Sequence, residues 1–114
     1  MSLVAREILQ YAENIDGALA IAKKRKMFVS ESFLIGSAED NKAVIIEKTP
    51  DSVGLYDPGG NEIICANHFQ SKELSMLRSN QIQMRQSASD YRYHRCWNCW
   101  PPTKKILSRK RLKF

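Results

Sequence analysis

The chain reads as an α+β protein, two helices followed by about four short antiparallel strands. Two stretches near the start carry apolar residues at helical period, and four later runs are rich in β-branched and aromatic residues and divided by tight turns. A third observation sets the end apart: residues 96–114 contain no acidic side chain.

With 114 residues there is room for one domain and a modest core. Hydrophobic and charged fractions of 43% and 26% are those of a globular protein, which excludes disorder throughout. No apolar run approaches the roughly 18 residues of a membrane helix, and "MSLVAREILQYAEN" has no apolar signal core after its basic residue. A cytosolic or truncated chain without membrane partners is expected, and its compartment is left unassigned. The formal charge of +6 is not spread over the chain: residues 1–95 hold 12 Lys and Arg against 12 Asp and Glu, and the last 19 hold six against none. The body is neutral, which does not favour nucleic acid as a partner.

The first helix is expected over "LVAREILQYA", where Val4, Ile8 and Tyr11 recur about a turn apart. Asn14 or Asp16 then caps a second helix through "DGALAIAKKRK", whose closing cations suit a helix C-terminus. "KKRK" also fits a localisation signal or a phosphate patch, but a solvated helix end accounts for it. Strands follow in "MFVSESFLIGSA", "KAVIIEKT", "SVGLYD" and "EIICAN", the first two divided by "EDNK" and the last two by "PGGN". The continuous apolar runs "FLIG" and "AVII" predict strands covered on both faces. After Phe69 the pattern turns polar and without period, a loop with room for a short helix. "SASDYRYHR" reads as a helix start, with Ser87 or Ser89 as cap and Asp90 in the first turn.

"CWNC", with His94 and His68, could supply four zinc ligands. A single Cys-x-x-Cys is weak evidence, and Pro101 and Pro102 disfavour the helix that a redox motif would open, so no metal or cofactor is expected. Cys65 alternates into a strand and reads as a structural thiol. The tail cations could grip nucleic acid or an acidic surface, yet no aromatics interleave with them.

The genetic code offers another account of the tail. Cys is TGY, Trp TGG, Asn AAY and Pro CCN, so the frame one base earlier across "CWNCWP" reads Met, Leu or Val, then Leu-Glu-Leu-Leu-Ala. That is the apolar helix face which "SASDYRYHR" lacks, whereas the remaining frame is broken by glycines. The coding sequence is thus expected to have slipped frame near Arg95, dividing the chain into a partial domain over 1–95 and a basic tail over 96–114.

Residues Ser30 to Phe69 resemble the acyl-coenzyme A:6-aminopenicillanate acyltransferase family of N-terminal-nucleophile hydrolases. The likeness rests on a serine-led strand ending at Ala38, on Glu47 followed by Thr49-Pro50, and on Asn67-His68-Phe69 closing the next hairpin. It continues backwards over "REILQYAENIDGALAIAKK" and forwards to "DYRYHR". The resemblance implies a piece of an αββα sandwich that cleaves or transfers linear amide bonds. It also implies an amino-terminal cysteine nucleophile, exposed by self-cleavage, whose own α-amino group handles the proton. Asn67 takes the position of the asparagine that steadies the oxyanion, where a side-chain amide N–H meets developing charge without titrating. His68 reads as a packing residue. The departure is the nucleophile, because no cysteine precedes Cys65.

Three readings stand at this point. The first is an internal fragment of an amide hydrolase or acyltransferase, inactive alone, whose parent takes a small-molecule amide and whose bare strand faces self-associate. The second is a non-enzymatic α+β module presenting a basic C-terminal arm to nucleic acid or anionic surfaces. The third is a subunit that awaits a separately encoded cysteine-bearing chain.

Overall fold

The computed structural model describes residues 2–99. The order of elements is α1 (Leu3–Tyr11), α2 (Ile15–Lys24), β1 (Glu31–Ser37), β2 (Lys42–Lys48), β3 (Val53–Tyr56), α3 (Arg78–Ser87) and α4 (Ser89–Cys99). The strands form one antiparallel sheet in the order β1-β2-β3. The fold is α+β, and among the described residues there is no second sheet.

The helices form where the apolar period places them. Val4 and Ile8 are the buried residues of α1, one turn apart. In α2 the Asn14 side chain accepts from Gly17 N at 2.8 Å, and Ile15, Ala18 and Ala22 turn inward. Lys23 and Lys24 occupy the last turn, where their charge suits the helix dipole. Arg25 joins the helices with two bonds to the Glu7 carboxylate, Nε to Oε2 at 2.7 Å and Nη2 to Oε1 at 2.9 Å. Asp40, in the β1–β2 turn, accepts from Ile15 N at 2.8 Å and so fastens the start of α2 to the sheet.

The sheet has two differently covered faces. Phe33, Ile35, Val44, Ile46 and Val53 join the cluster built by α1 and α2. The opposite face carries Leu34, Ile45, Glu47, Gly54 and Tyr56, as the pairing register requires. Part of that face lies under the segment 68–77, for Ile45 is fully buried and Leu74 is 2% exposed. Leu34, on edge strand β1, is 52% exposed. The expectation that both central strands are covered on both faces therefore holds for β2 and fails for β1, which the covering segment does not reach.

Two further expectations are corrected. "EIICAN" forms no strand, and the sheet has three strands where about four were expected. Gly59 takes φ +69° in the turn after β3, and the chain beyond it does not return beside β3. Instead of entering a ladder, the Ile64 carbonyl accepts from the Gln70 side chain at 2.8 Å. Among the described residues the helices number four, because the short helix and the helix start read after Phe69 are both complete, as α3 and α4. Helix α3 has no apolar period for a simple reason: its buried residue is Asn80. Neither serine was well read as a simple cap, since Ser87 Oγ donates to Gln83 O at 2.6 Å and Ser89 Oγ meets His68.

Gly54 is needed for space. A Cβ there would stand 2.9 Å from Ser71 Cβ and 3.3 Å from Leu74 Cδ1, and a Cβ–Cβ clash cannot be relieved by turning a rotamer. Gly54→Ala is expected to lower stability by about 1–3 kcal/mol. Urea unfolding measures the loss, and Ser71→Gly in the same chain should return part of it; equal stability of wild type and Gly54→Ala would refute the close approach.

Candidate active site

Residues 66–71 leave the third strand's turn as an irregular strap across the sheet, an arrangement that would strand backbone polar groups unless side chains met them. The backbone of Phe69, Gln70 and Ser71 finds such partners, and His68 is tied through its own side chain. Glu47, fully buried on β2, accepts from Gln70 N at 2.5 Å and from Ser71 N at 2.9 Å. Asn80 of α3, 3% exposed, accepts from Phe69 N at 2.7 Å and donates to Phe69 O at 3.2 Å and Ser75 O at 3.0 Å. His68 Nδ1 lies 2.8 Å from Ser89 Oγ at the start of α4, and its ring meets Tyr93 edge-on at 5.4 Å.

Ahead of these ties, Cys65, Ala66 and Asn67 line a cleft of about 740 Å³ together with Ser30, Glu31 and Ser32 from the start of β1. Asn67 is exposed, and its carboxamide makes no hydrogen bond among the described residues. A held backbone therefore presents a free side-chain amide to an open cleft. Such a group can donate to an anion without any change of protonation.

The two titratable neighbours are poorly suited to chemistry. Desolvation first, and then the negative charge of Glu47, push the Cys65 thiol up, so the thiolate is disfavoured and the residue makes a poor nucleophile. Desolvation holds His68 below the usual imidazole range, and its Nδ1 is engaged by Ser89. Burial and the adjacent Tyr93 push the Tyr56 phenol up as well.

The zinc possibility does not assemble. His68 points to Ser89, His94 Nε2 lies 3.2 Å from Asp90 Oδ1, and Cys96 and Cys99 are exposed at the end of α4. Among the described residues no three His, Cys, Asp or Glu side chains group as metal ligands, and no helix is long and apolar enough to cross a membrane. Residues 100–114, including most of the basic tail, lie outside the described residues.

Sequence reasoning marked Glu47 only as part of a motif, read Ser89 only as a possible helix cap, and missed Asn80. One signal was visible: Glu47 ends the apolar run "AVII" on a strand whose neighbours are buried, and an acid there needs partners.

No curated protein and no solved structure matches the chain. Residues 1–106 match the model of one family, a span that contains every described element together with Glu47, Asn67, His68 and the strap between them. The chain belongs to the acyl-coenzyme A:6-aminopenicillanic acid acyl-transferase family.

Proposed function

We propose that this chain supplies the oxyanion-stabilising part of an amide hydrolase or acyltransferase whose nucleophile is an amino-terminal cysteine lying outside residues 1–64. The observation that carries the reading is Asn67, exposed on a strap tied at its next four residues and lining the cleft. When a thiolate adds to an amide carbonyl, the C=O π pair moves onto oxygen, and the tetrahedral oxyanion needs a donor already aimed at it. The Asn67 amide N–H serves as that donor. Collapse of the intermediate expels the amine, which takes its proton from the α-ammonium of the nucleophilic residue and leaves a thioester. Water then yields hydrolysis, and a second amine yields acyl transfer.

Alone the chain is expected to hydrolyse no linear amide, because the only cysteine before the tail is Cys65 with its raised thiol pKa. Co-expression with a cysteine-bearing amino-terminal segment tests this. Turnover that appears only with that segment supports the reading; turnover by the chain alone, abolished by Cys65→Ala, would replace it.

Self-association belongs to the same proposal. Phe28, Val29 and Leu34 are 102%, 60% and 52% exposed along and just before edge strand β1, and an open strand edge with apolar neighbours pairs readily. Light scattering at micromolar concentration should give a mass above the 13.1 kDa of one chain, and a strictly monomeric species would count against it. We also propose that the tail results from a slipped frame. In the encoding DNA the frame one base earlier should stay open from Arg95 past the codon of Phe114; a stop codon in that frame would discard the idea, and salt-sensitive anion binding lost with residues 96–114 would favour the basic arm instead.

A further inference from the structure

The ties of the strap are costly and converge on residues 68–71. Glu47, Asn80 and Ser89 are 0%, 3% and 0% exposed, and they come from β2, α3 and α4. Among the described residues no cation pairs with Glu47. A segment whose task was only to cover the sheet would be served by apolar side chains, since burying a carboxylate or carboxamide carries a desolvation cost. These three groups instead direct their polar atoms to residues 68–71, with one further bond from the Asn80 amide to Ser75 O. Asn80 meets both the N–H and the C=O of Phe69, as a neighbouring strand would.

The residue just ahead of this fixed run is Asn67. An oxyanion donor works only if its own position is held to about 0.5 Å, and Asn67 has no side-chain bond of its own among the described residues. Its placement must come through the backbone.

We infer that Glu47 and Asn80 are positioning residues, which set Asn67 by fixing the backbone of residues 69–71. This rests on the reading of Asn67 as oxyanion donor. Ser89 anchors the near end through His68, and Glu47 and Asn80 hold the remainder. Neither touches the reacting atoms.

The test is backbone ¹⁵N relaxation on the full chain, comparing wild type with Glu47→Gln, Asn80→Ala and a control, Ile8→Val, which trims the core on the other face of the sheet. In wild type, residues 67–71 should show order parameters near the ~0.85 of rigid backbone. In Glu47→Gln and Asn80→Ala, residues 67–69 should fall below ~0.6 while α2 stays rigid. Ile8→Val should leave residue 67 unchanged. Should Glu47→Gln fail to fold, Asn80→Ala and Ser89→Ala carry the comparison.

Order at residue 67 that survives both strap variants, or that falls equally in Ile8→Val, overturns the inference. In the enzyme restored by a cysteine-bearing segment, Glu47→Gln should lower kcat in the wild-type background and add nothing in an Asn67→Ala background. Additive losses would also overturn it. If Asn67→Ala leaves kcat unchanged while the order parameters respond as described, the chemical reading of Asn67 has failed and the positional one has not.

Discussion

Replacing Glu47 by alanine is expected to cost about 3 kcal/mol or more, enough to bring a domain of this size near unfolding. Two backbone donors, Gln70 N and Ser71 N, lose their acceptor together, and Ser71 is 1% exposed, so water cannot replace it without opening the strap. Each unpaired buried donor costs roughly 1–3 kcal/mol, and the missing side chain leaves a void beside Ile45 on the same buried face. Glu47→Leu separates the two causes. It fills the void and leaves the donors unpaired, so it should recover only the smaller part of the loss. Urea unfolding of the three proteins decides the matter: a loss below about 1 kcal/mol in Glu47→Ala would mean that the strap is held by its apolar residues, chiefly Leu74. Recovery of full stability in Glu47→Leu would place the whole effect in packing.

The parts of this fold that were legible in the sequence are those set by local period. Val4 and Ile8 mark the inward stripe of α1, although Tyr11, read with them, is exposed; Asn14, one of two candidate caps, caps α2; and the β-branched runs between tight turns locate β1 to β3. Family resemblance carried Asn67 and nothing about how it is held. The strap itself was not legible, because its bonds join residues 11 to 24 positions apart. No window of sequence displays such pairs. Helix α3 showed only as room for a short helix within a loop, for the related reason that its inward residue is Asn80, which bonds to Phe69 and Ser75 ahead of the helix. "EIICAN" was misread because partly buried isoleucines satisfy a strand pattern without a strand to pair with. The anomaly that did show was an acid closing an apolar run. Buried polar residues in strongly patterned elements are where long-range structure intrudes on local sequence.

In an enzyme restored by a cysteine-bearing segment, Asn67→Ala is expected to lower kcat by about 10²–10³-fold and to leave KM nearly unchanged. The ground-state carbonyl oxygen bears little charge and gains little from one amide donor, whereas the tetrahedral oxyanion gains much more, so the lost interaction belongs almost wholly to the transition state. Because Asn67 is exposed and bonds to no described side chain, the same substitution should alter stability by less than about 0.5 kcal/mol. That dissociation separates it from Glu47, whose replacement disturbs both. Asn67→Asp keeps the size and removes the donor while adding a negative charge where negative charge develops, so its kcat should be at least as low as that of the alanine variant above the carboxyl pKa. A kcat for Asn67→Ala within about threefold of the restored enzyme would reduce Asn67 to the residue that begins the strap. The oxyanion would then have to be met by a backbone N–H on the cleft wall, and Ala66 and Asn67 themselves, as the free-standing residues ahead of the Phe69 tie, would be the first places to look.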